Sequence, residues 1–212
     1  MSYNNELCKL IIENIELLEE APGVISSIEK LAFQKINHKF KAFFVGRAGW
    51  KDDGVYDYFD DDGGETSFAS ASWPVDDDGA YAAYYQFSEA CGDLSEYYLS
   101  ILTGKVPKDN YGIFFDVDAN FFGMNKRTWK AFLQNQYQLN PKLGELGVEF
   151  SAGRLCIPII LDATLVAKEY PDLEESLNPV DDALAILMEA HLHISGIVEK
   201  ISAHHSESLN TQ

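Results

Sequence analysis

Apolar residues near the start of the chain recur at steps of three and four. Cys8, Ile11, Ile12, Ile15 and Leu18 fall on one face of a helix, which predicts an amphipathic helix over about 5–20. Ala21-Pro22-Gly23 reads as its stop, followed by a second helix over about 24–37 that is expected to bury Ile25, Ile28, Leu31, Ala32 and Ile36. The period then changes. Phe40, Ala42 and Phe44 alternate with Lys39 and Lys41, which predicts a strand over 39–48.

Three Asp-Gly steps, at Asp53-Gly54, Asp62-Gly63 and Asp78-Gly79, punctuate an aromatic stretch. Asp and Gly tolerate the positive φ that tight turns require, so these steps predict hairpins between strands near 39–48, 55–60, 66–73 and 80–87. Strands joined by such short turns form an antiparallel meander. Further on, the pattern predicts a short helix over 93–102, a buried strand over 111–120 and a helix over 125–138. A hairpin of 148–151 and 155–161 turns at Ala152-Gly153, and Pro158 restricts its second strand to an edge or a bulge. A long helix opens at Asn178 with Pro179 in its first turn. Its apolar face carries Val180, Leu184, Leu187, Met188, His191, Ile194, Val198 and Ile201. The polar residues 204–212 read as a frayed tail. The expected fold is α+β: one domain over 1–203, with a mostly antiparallel sheet packed by amino-terminal helices and a long carboxy-terminal helix.

Composition fits one packed core, since 212 residues with 46% hydrophobic and 13% aromatic content have ample material for it. Charge narrows the partners. A formal charge of -18 repels nucleic acid and anionic lipid and attracts basic proteins and divalent cations. The longest apolar run, around Ile157 to Leu161, is far short of the roughly 20 residues a spanning helix needs, so no membrane span is expected. The first residues lack the basic-then-apolar pattern of a secretory signal, which points to the cytoplasm. Cys8, Cys91 and Cys156 show no paired spacing and read as reduced thiols.

The charge is concentrated. From Asp52 to Gly104 there are thirteen acidic residues and no Lys or Arg. Aromatic residues are interleaved with the acids, the mixture expected of a protein-binding surface. The expected contacts are Asp57, Asp60, Asp61, Asp62, Glu65, Trp73, Asp76, Asp77, Asp78 and Tyr85. Together they predict a non-enzymatic module that docks a basic protein partner, of inhibitor, immunity or antitoxin type. The plainer reading is that the acids are solvated turns and the aromatics one buried face of the meander.

An alternative chemistry centres on Ile113-Phe114-Phe115-Asp116-Val117-Asp118-Ala119-Asn120. Two carboxylates at i and i+2 at a strand end project to one side and can hold Mg or Ca, leaving one Asp as nucleophile or proton shuttle. These eight residues resemble the nucleophile motif of haloacid-dehalogenase-type phosphatases. The resemblance implies phosphoryl-transfer chemistry at Asp116 and Asp118. The alternative function is thus a metal-dependent hydrolase or phosphoryl-transfer enzyme centred on these two residues, with Glu149 or Asp162 as helpers. That family places the motif near the start of a parallel sheet and adds a later lysine and a second acidic strand end, which have no counterpart here. EF-hand spacing fails around Gly63 and Gly79, and the chain lacks phosphate-loop, dinucleotide, nucleophile-elbow and HExxH motifs. His191 sits on an apolar helix face and reads as a core histidine, on a different face from His193.

Overall fold

The computed structural model describes residues 5–59, 64–76, 78–90, 98–106 and 109–209, with backbone alone for Leu7 and for residues 204–209. Helix α1 (Asn5–Glu13) leads into α2 (Ile15–Phe44). The chain then forms strands β1 (Val55–Tyr56), β2 (Thr66–Phe68) and β3 (Ala83–Glu89), helix α3 (Tyr98–Leu102) and strand β4 (Tyr111–Val117). Helices α4 (Lys126–Leu139) and α5 (Pro141–Glu145) precede the hairpin β5 (Glu149–Ser151) and β6 (Arg154–Ile159). Helix α6 (Ala163–Glu169), a 3₁₀ turn (Glu175–Leu177) and α7 (Asn178–Leu209) complete the chain. The six strands form one antiparallel sheet in the order β1-β2-β3-β4-β6-β5. The fold is therefore α+β, and the meander runs from β1 to β4.

The segment 39–48 is not a strand. Phe33, Ile36, Phe40 and Phe44 are fully buried and recur at helical steps, while Lys41 and Ala42 point to water. Phe40 and Phe44 fit both periods, and packing selects the helical one: Phe40 lies 5.7 Å from Phe68 and Phe44 4.0 Å from it, ring centre to ring centre. Nor do Pro22 and Gly23 end a helix, because α2 runs through them. Pro22 removes a backbone donor from Leu18, but this stretch is exposed, so water can satisfy the freed carbonyl.

The helices cover one face of the sheet. Register pairs Tyr85 with Phe115 and Phe87 with Ile113, and these side chains join residues of α2 and α7 in the larger apolar core. In α7, Val180, Leu184, Leu187, Ile194, Val198 and Ile201 are buried as expected, but Met188 is exposed and Ala183, Ala190 and Ile197 take part in the core. The helix continues to Leu209, where a frayed tail was expected from 204, and residues 210–212 lie outside the described residues. The β5–β6 turn has φ of 51° at Ala152 and 88° at Gly153, the double positive φ of a type I′ hairpin. Pro158 pairs with Gly112 on one side, beyond the end of β5 on the other, so its strand is locally an edge. Among the described residues, no helix is long and apolar enough to cross a membrane.

Candidate functional site

Strand β3 separates the aromatics into two sets. Ala83, Tyr85 and Phe87 face the core, whereas Tyr84, Gln86 and Ser88 face away from it. Tyr85 is 1% exposed and Trp73 5%, so neither is a surface anchor, and their expected role in partner contact is corrected to core packing. Trp73 Nε1 donates to Ser195 Oγ at 3.1 Å, and the Tyr85 hydroxyl lies 3.0 Å from His191 Nδ1. His191 also packs 4.7 Å from the Trp50 ring and 5.3 Å from that of Trp73. Burial pushes the His191 pKa down, so the imidazole favours its neutral form. It is a hydrogen-bonded core histidine.

Surface aromatics do exist at the other face of the meander, where sequence reading had not singled them out. Half-buried Tyr81 and Tyr84 line an open groove of about 350 Å³ together with Asp53, Val55, Glu65 and Ser67. The groove lies beside β1, one of the two edge strands of the sheet. Asp53 accepts from the Tyr81 hydroxyl, and Ser67 Oγ donates to Glu65 Oε1 at 3.2 Å. Lys51 stands 5.0 Å from the Tyr81 ring centre. Burial, reinforced by the charges of Asp116 and Glu65, pushes the Tyr84 pKa up to about 12, so its hydroxyl remains a neutral donor. The signal for Tyr84 was legible, since it alternates with Gln86 and Ser88 while Tyr85 alternates with Ala83 and Phe87.

The remaining acids divide. Asp57 is exposed, and its Oδ1 accepts from Glu65 N at 3.0 Å, closing the β1–β2 connection. Asp76 is half-buried and accepts from Asp78 N at 3.0 Å and Ala80 N at 2.7 Å, which makes it a turn former. Glu65 and Asp78 are exposed. Asp60, Asp61, Asp62 and Asp77 lie outside the described residues. The turn reading therefore accounts for Asp57 and Asp76, and the groove gathers Asp53 and Glu65.

Asp116 is opposite Tyr84 on the outer face, and its carboxylate meets Arg154 Nη1 at 3.2 Å. Burial pushes its pKa up, against the pull of the Arg154 charge. Arg154 is held further by the carbonyl of Glu89 at 3.0 Å and lies 4.0 Å from the Phe114 ring centre. Asp118 lies beyond the strand and accepts from Asn120 N at 2.9 Å, an Asx turn. The expected helpers do other work. Asp162 caps α6 through Thr164 N and Leu165 N, which lowers its pKa, and Glu149 is exposed on the outermost strand, β5. Among the described residues, no three His, Cys, Asp or Glu side chains cluster closely enough to hold a metal ion.

Neither family models, nor curated proteins, nor solved structures contain a match to this chain.

Proposed function

We propose that the protein is a non-enzymatic binding module, of inhibitor, immunity or antitoxin type, that docks a basic protein partner on the acidic edge of its sheet. The observation that carries this reading is the groove in which Asp53 and Glu65 flank the half-buried rings of Tyr81 and Tyr84. It lies in the segment that holds thirteen acids and no base between Asp52 and Gly104. Carboxylates there attract a basic surface over a Debye length of about 8–10 Å, and the tyrosines offer rigid, amphipathic contact area once it arrives. Metal-dependent chemistry at Asp116 and Asp118 with Mg or Ca is less well supported, because the first carboxylate is already paired with Arg154 and the second is used in a turn.

The test is affinity capture from cells that make the protein, run in parallel with the wild type and with the double variant Asp53→Lys, Glu65→Lys. A basic protein enriched by the wild type and depleted at least tenfold by the variant is the expected result. Identical captured sets from the two baits would remove the acidic edge from the account.

A further inference from the structure

Among the described residues, helix α1 and the first half of α2 form an arm whose apolar face is exposed. From Lys9 to Ser27 every residue but Ala21 is exposed. Ile12 is 71% exposed, Leu17 67% and Leu10 58%, with Ile15, Leu18 and Ile25 each above 40%. Periodicity makes this a continuation of a packing surface. Ile25 and the fully buried Ile36 belong to one helix and lie eleven residues apart, about three turns, so they share a face. The same side of α2 is thus packed on the sheet at one end and bare at the other. Where the arm meets the body, Ile28 joins Leu99, Val166 and Tyr170 in an apolar groove of about 240 Å³, which extends the bare face onto the domain.

Charge identifies what would cover it. Over residues 5–28 the arm carries Glu6, Glu13, Glu16, Glu19 and Glu20 against Lys9 alone, five acids less one base, or -4. A second copy would set -4 against -4, and an anionic bilayer would repel the arm likewise. An amphipathic helix with Lys or Arg beside its apolar stripe matches both features, placing leucine-like side chains on Ile11, Ile15, Leu18 and Ile25 and cations beside the glutamates.

We propose that this arm is a docking site for a basic amphipathic helix of a protein partner, seated on the Ile11–Ile25 stripe. The proposal stands apart from the acidic-edge reading, since it rests on other residues and survives if the groove at Asp53 and Glu65 binds nothing.

The probes are three synthetic three-heptad peptides titrated against the full chain: one patterned with Leu and Lys, one with Leu and Glu, and one with Ser replacing every Leu of the first. The Leu/Lys peptide should bind at least tenfold more tightly than either other, and light scattering should find the free chain monomeric. Ile11→Asp combined with Leu18→Asp should weaken that binding at least tenfold, although it makes the arm more acidic. Ile11 is 41% exposed and Leu18 45%, so the variant should keep the wild-type melting temperature. Asp53→Lys with Glu65→Lys should leave the peptide affinity within twofold. Tighter binding by the more acidic arm variant, equal binding of the Ser/Lys peptide, or loss of binding in the groove variant would overturn the proposal. An arm-dependent dimer would assign the stripe to a second copy, and arm-dependent binding to neutral phosphatidylcholine vesicles would assign it to lipid, and either result also overturns it.

Discussion

Among single residues, His191 distinguishes a filled space from a bonded one. Its place on an apolar helix face was legible from spacing alone, but its bond to the Tyr85 hydroxyl was not, because the partner lies 106 positions away in the chain. His191→Leu should leave that buried hydroxyl without its partner and cost about 1–3 kcal/mol in denaturant unfolding. A neutral result would mean the hydroxyl finds another hydrogen-bond partner. The same residue gives a pH dependence. Burial holds its pKa below the ordinary value of 6.5, so at lower pH the unfolded chain takes up a proton that the folded chain resists. Stability should therefore decline as pH falls below about 6.5. Stability curves of the wild type and His191→Gln between pH 7.5 and 5 isolate this contribution, since the decline should be shallower in the variant. Tyr84 and Tyr85 make a related point. Adjacent tyrosines in one strand cannot share a face, so only Tyr84 reaches the groove, and the polar alternation of Gln86 and Ser88 already indicated as much.

Among elements, those with strong punctuation or one unambiguous period were legible in the sequence. The Asn178-Pro179 start of α7 and the Ala152-Gly153 hairpin are of this kind. The strand expected over 39–48 failed because Phe40 and Phe44 satisfy both the two-residue and the helical period. The choice was made by long-range contacts with Phe68, which no local pattern contains. Pro22 shows that a breaker interrupts hydrogen bonding without always ending an exposed helix. The contrast between packed and bare helix faces is measurable. Leu187→Ala, fully buried in α7, should cost about 2–5 kcal/mol. Leu17→Ala, 67% exposed on the arm, should change stability by less than about 0.5 kcal/mol in the isolated protein. Comparable losses for the two would mean that the arm packs on the body in solution.

At the scale of the whole molecule, one face of the sheet is spent on the core and acidic groups gather at the opposite face and the β1 edge. The antiparallel pairing of β2 with β3 was legible because the Asp78-Gly79 step sits between aromatic runs, whereas Asp53-Gly54 follows helix α2 and joins no two strands, and Asp62-Gly63 lies outside the described residues. The groove arises from three-dimensional proximity of Asp53, Glu65, Tyr81 and Tyr84, which sequence spacing does not reveal. The excess of carboxylates has a kinetic signature that turn formation alone lacks. Rapid-mixing association of the captured basic partner, measured from low to high ionic strength, tests the binding account most directly. Attraction by the acidic edge predicts an association rate that falls about tenfold or more as salt rises, with a distinctly shallower dependence for Asp53→Lys with Glu65→Lys. Association rates that ignore salt, or that respond to it equally in the wild type and the variant, would contradict the account.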